Sequence, residues 1–91
     1  MRNSRVQDTV KMTIYGREVT MTEYYDGYLL AEWHEATHDR WFVMWSYNKG
    51  LFQVQENLSD GNIVEMYTDT NLCAALAHLA LADHWQPQAN F

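Results

Sequence analysis

A chain of 91 residues with net charge −6, 47% hydrophobic and 20% charged, has the composition of a globular protein and the length of one domain. At this size only about 60 to 65% of the unfolded surface can be buried, in a single core, which excludes a large enclosed active site. Aromatic residues at 14%, among them four Trp and six Tyr, are well above what a disordered chain carries.

The distribution of charge is more informative than its sum. Glu18, Glu23, Asp26, Glu32, Glu35 and Asp39 fall in a stretch without Lys or Arg, and Glu56, Asp60, Glu65, Asp69 and Asp83 fall in a second such stretch from Gly50 to Phe91. The bases sit in the N-terminal part (Arg2, Arg5, Lys11, Arg17) and at Arg40 and Lys49. Such a field repels phosphate backbones and attracts basic protein surfaces, so a protein partner is expected and direct nucleic-acid binding is not. Acidity that serves only solubility is the alternative reading. Cys73 is the only cysteine, which rules out an internal disulfide and fits a reducing cytoplasm. The polar start Met1 to Arg5 lacks the apolar stretch of a secretory signal, and the most apolar run, Leu72 to Ala82, is about half of what a membrane span needs.

In chain order, residues 1–8 read as a flexible arm, 9–85 as one domain and 86–91 as a flexible tail. Val10, Met12 and Ile14 alternate with polar residues, as do Val19 and Met21, so the two runs form a hairpin with Gly16-Arg17 as a primed turn. Tyr24 to Gly27 is a second turn, and Tyr28 to Glu35 a third strand with Leu29, Ala31 and Trp33 on one side. Arg40 to Tyr47, rich in aromatic and β-branched residues, is the expected central strand, followed by strands from Leu51 to Glu56 and Ile63 to Tyr67.

Thr68, Asp69, Thr70 and Asn71 offer helix caps, and Leu72, Ala75, Leu76, Leu79 and Ala80 recur at the spacing of one helical face, predicting a helix to about His84. Cys73 is read as a small buried hydrophobe and His78 as a residue of the helix rim. The expected fold is α+β: an antiparallel meander of five or six short strands and one C-terminal helix packed on one face. The turn at Asn48-Lys49-Gly50 leaves two registers open. A two-residue loop pairs Val43 and Trp45 with Val54 and Phe52, and a three-residue loop with a glycine bulge pairs Met44 with Val54 and Phe42 with Glu56. In either register large apolar side chains remain on the face the helix does not cover, so a second copy closing a homodimer is an alternative to a foreign partner.

His34-Glu35-Ala36-Thr37-His38 matches H-E-x-x-H and in those five residues resembles the zinc-binding motif of zincin metallopeptidases. That resemblance implies His34 and His38 as metal ligands and Glu35 as the base of a hydrolase. The flanks depart from the family, with Glu32, Asp39 and Arg40 where uncharged or hydrophobic residues belong, and they read as two strands joined by a turn at 36–39 rather than a helix. The preferred reading is a chain without cofactor, metal or catalytic residues.

A short acidic chain without a catalytic set, built as a meander and one helix with surplus aromatics, resembles in type the small inhibitors that bacteriophages and mobile elements direct against CRISPR or restriction systems. The likeness implies inhibition of a nucleic-acid-handling protein by occupation of its basic surface. It implies Glu18, Glu23, Asp26, Glu32, Glu35 and Asp39 as the acidic contacts. Tyr24, Tyr25, Tyr28, Trp41, Trp45 and Tyr47 are the aromatic candidates for the same interface.

Overall fold

The computed structural model describes residues 4–84. Six strands, β1 (Val6–Ile14), β2 (Arg17–Tyr24), β3 (Leu29–Glu35), β4 (Arg40–Ser46), β5 (Phe52–Asn57) and β6 (Ile63–Asp69), pair in sequence order as one antiparallel sheet. One α-helix, α1 (Leu72–Ala80), and a short 3-10 turn (Ala82–His84) follow. The meander with a C-terminal helix is the architecture expected from the hydrophobic periodicities.

The differences lie at element ends. The first hairpin turns on Tyr15 and Gly16, both left-handed (φ 48° and 78°), rather than on Gly16-Arg17, and Ile14 pairs with Arg17. This register differs from the expected one by two in the sum of paired positions, which moves no side chain to the other face. Strand β1 begins at Val6, inside the stretch expected to be a loose arm, because Val6 pairs with Tyr24 and the Arg5 carbonyl accepts the Tyr25 N–H at 3.0 Å. The helix stops at Ala80, four residues early, and tightens into the 3-10 turn. The expected tail at 86–91 lies outside the described residues.

Between β4 and β5, Met44 pairs with Val54 and Phe42 with Glu56, the second of the two registers. The residue that takes the left-handed conformation is Lys49 (φ 64°), not the expected Gly50. Ser46 Oγ accepts the Lys49 N–H and Asn48 Oδ1 accepts the Gly50 N–H, both at 2.8 Å, so side chains hold this turn. A Cβ on Gly50 would approach that Asn48 oxygen to 3.2 Å, a tight contact.

Alternation along β4 then sends Phe42, Met44 and Ser46 toward α1 and Trp41, Val43 and Trp45 the other way. The core joins Val19, Leu29, Ala31, Trp33, Phe42, Met44, Phe52 and Val54 from the sheet to Ala75, Leu79 and Ala82. Leu79 is fully buried, and Leu76, expected beside it, is only partly so. Two polar contacts seat the helix. Asn71 caps its start by accepting the Ala74 N–H at 3.0 Å, and the Trp33 indole N–H donates to the Leu79 carbonyl at 2.6 Å. Cys73 is exposed rather than buried, since it lies off the Ala75–Leu79 stripe that meets the sheet. Among the described residues no helix is long and apolar enough to cross a membrane.

Candidate functional site

Among the described residues no element lies over the face of the sheet opposite α1, and its composition is unlike the core. Along β4 it presents Trp41, Val43 and Trp45. Register places Leu30, Glu32 and His34 of β3 on one side of this row and Gln53, Gln55 and Asn57 of β5 on the other. Farther out lie Thr20, Thr22 and Glu18 of β2 and Thr9, Lys11 and Thr13 of β1.

The rings on this face form a chain of contacts. Tyr24 and Tyr28 approach to 5.7 Å between centroids, Tyr28 and Tyr47 to 5.4 Å, and Tyr47 meets Trp45 edge-on at 5.1 Å. Past Val43 in the same row, Trp41 stacks with His34 at 4.5 Å. The Trp45 indole N–H donates to Gln55 Oε1, and Gln55 Nε2 donates to Asn57 Oδ1, both at 2.7 Å, which lays the amides flat beside the rings. Trp41 is 43% exposed and Tyr47 65%. Five of the six aromatic candidates, Tyr24, Tyr28, Trp41, Trp45 and Tyr47, therefore belong to one surface. Tyr25 does not, and the Arg5 guanidinium lies over its ring at 5.4 Å.

The acids expected to act together are dispersed. Glu18 and Glu32 lie on the uncovered face, whereas Glu23 shares the helix side with Leu29 and forms an ion pair with Lys49. Asp26 holds the β2–β3 turn by accepting the Tyr28 N–H at 3.1 Å. Asp39 lies in the β3–β4 turn at the opposite end of the sheet, with φ 53°, and bonds His34 Nε2 at 2.6 Å. Glu35 closes the same turn from the helix side. The sequence reading left Glu65, in the second acidic stretch, out of the interface acids, and register sets it on the uncovered face opposite Gln55.

The bases explain why the acids matter differently on the two sides. Arg17 pairs with Asp83 at 2.7 Å, Arg40 with Glu35 at 3.3 Å and Glu56 at 4.0 Å, and Lys49 with Glu23. These partners lie on the helix side or at the sheet's end. Among the described residues Glu18, Glu32 and Glu65 form no ion pair, and Lys11 is the one base that the strands place on their face.

The H-E-x-x-H pentapeptide is a hairpin end. His34 and Glu35 are successive strand residues and point to opposite faces, and His38 sits in the turn. Glu35 accepts the backbone N–H of Thr37 at 2.7 Å, His38 Nδ1 at 2.9 Å and Arg40 Nε at 3.3 Å. Burial pushes its pKa up, and the hydrogen bonds from His38, Arg40 and Thr37 outweigh this and hold it at about 2. The carboxylate is thus engaged in closing the turn, and each imidazole has its own acidic neighbour. Among the described residues no three His, Cys, Asp or Glu side chains converge as a metal site.

A concavity of about 330 Å³ lies between α1 and β5–β6, lined by Val54, Met66, Tyr67, His78, Leu81 and Ala82 among others. His78 stacks on Tyr67 with centroids 3.5 Å apart, and the Tyr67 hydroxyl donates to Asp69. That bond raises the tyrosine pKa and lowers that of Asp69. Tyr67 and Asp69 are two apart on β6 and share a face, and the return of the helix sets His78 on Tyr67, a contact that sequence spacing does not announce.

No family model matches the chain, and neither a curated protein nor a solved structure matches it.

Proposed function

We propose that the chain is a protein-binding module whose docking surface is the uncovered face of its sheet, and that it acts as an inhibitor or adaptor on a partner with a basic surface. One observation carries this reading: the row from Tyr24 through Tyr28, Tyr47 and Trp45 to Trp41, joined across the buried Val43 and bordered by amides, threonines and acids, with Lys11 the one base that the strands place on that face among the described residues. Tyr and Trp at the centre with a polar rim is the composition of protein interfaces. The acids that serve it are Glu18, Glu32 and Glu65 rather than the original six. Inhibition of a nucleic-acid-handling protein, as in phage anti-CRISPR and anti-restriction proteins, is the form this function takes if the partner's basic surface is one that holds nucleic acid.

The test is affinity capture from a cell lysate at low and high salt with the wild-type chain, Trp41→Ala, and Glu18→Lys with Glu32→Lys. Expected is a basic protein whose capture weakens with salt, is lost in both variants, and survives Glu23→Lys, an acid on the helix side. Capture unaffected by either uncovered-face variant overturns the reading. A doubled mass in light scattering that persists at high salt supports instead the homodimeric assembly module.

A further inference from the structure

The partner's contact group can be named from the chemistry of the uncovered face, given the docking reading above. We infer that the occupant of the Trp41 end of the row is an arginine side chain of the partner, its guanidinium stacked on the indole and paired with Glu32. Three features converge on this.

First, Trp41 is a large, partly exposed ring of high cation affinity, with His34 stacked on it and 43% of its surface still open. Glu32 lies opposite Val43, diagonal to both Trp41 and Trp45, at roughly 7 to 8 Å between backbones, a separation that a planar guanidinium bridges. Second, the chain meets its own arginines in this way. Arg5 lies over Tyr25 at 5.4 Å, Arg17 over Trp33 at 5.5 Å with Asp83 as its acid, and Arg40 over Phe42 at 5.2 Å with Glu35 and Glu56. The uncovered face repeats the juxtaposition of ring and carboxylate at Trp41 and Glu32, and among the described residues no cation lies over that ring or pairs with that carboxylate. Third, charge selects the occupant. A second copy docked face to face brings Glu18, Glu32 and Glu65 against the same acids with only Lys11 to offset them, and phosphate is repelled likewise. A basic side chain is favoured, and between the two, arginine stacks on indole and is weakly hydrated, whereas the compact lysine ammonium keeps its water.

The experiment titrates the whole chain, labelled with ¹⁵N, with a short peptide alternating glycine and arginine, and separately with its lysine counterpart of equal charge. Expected are shifts of the Trp41 and Trp45 indole N–H resonances, with the arginine peptide binding about tenfold more tightly than the lysine one, a difference of about 1.4 kcal/mol. Glu32→Gln should weaken the arginine peptide severalfold and flatten its salt dependence, and Trp41→Ala should erase the preference for arginine. Equal affinity for the two peptides, or shifts confined to the Tyr67–His78 cleft, overturns the arginine inference. If partner capture still depends on Trp41 in that case, the docking reading stands and only the identity of the contact group fails. If both are indifferent to Trp41, both fail.

Discussion

The two faces of the sheet are cut from the same strands and differ in what they keep for themselves. On β4, Phe42, Met44 and Ser46 are fully buried against the helix layer, while Trp41, one residue from Phe42, is 43% exposed. The helix side also holds two of the arginines, with Arg17 drawn over Trp33 to Asp83 and Arg40 over Phe42 to Glu35 and Glu56. The uncovered side is left with aromatic surface and with Glu18, Glu32 and Glu65, which form no ion pair among the described residues. A chain with net charge −6 does not need an acidic cluster to present an acidic face, because using its few bases on the other side has the same effect.

The largest difference between the faces should appear on truncation. Leu79→Ala removes a fully buried side chain from the helix that covers the sheet and should cost about 2 to 5 kcal/mol in chemical denaturation, enough to unfold a domain of this size. Trp41→Ala, though it removes a larger side chain, should shift the midpoint by much less. Equal losses would mean that the second face is closed in the free protein by something of its own. Next comes Trp33→Phe, which keeps most of the packing but leaves the Leu79 carbonyl without its 2.6 Å indole donor. A loss of about 1 to 3 kcal/mol is expected, and an unchanged denaturation curve would remove this bond from the account of how α1 is seated.

The smallest effect is the most specific. Glu35 has its pKa depressed in the folded chain from the ordinary 4.5 to about 2, so its ionised form contributes stability above pH 4.5 that is lost as the pH falls toward 2. Glu35→Gln should therefore flatten the decline in melting temperature across that window and leave its slope between pH 7 and 8 unaltered. A decline as steep as in the wild type would show that the carboxylate does not hold the β3–β4 turn.

Much of this was legible in the sequence. Alternation in β1 to β3, the helical spacing of Leu72, Ala75 and Leu79, and the turns at Gly27 and Gly50 suffice for a meander of five or six strands and the helix, because these are local properties of backbone and side-chain period. The aromatic half of the candidate interface was legible for the same reason. Residues two apart on a strand share a face, so Trp41, Val43 and Trp45 had to lie together. What only the tertiary structure decided were the contacts between distant segments. The register of β4 on β5 depended on Lys49 taking the left-handed conformation with Ser46 and Asn48 bonding the turn. The acids separated because Glu23 and Glu35 fall on the odd positions that face the helix and Asp26 and Asp39 at opposite ends of the sheet. Charge proximity along a chain does not survive an alternation of period two, and cation placement is settled by which ring and which carboxylate the folded sheet brings within reach.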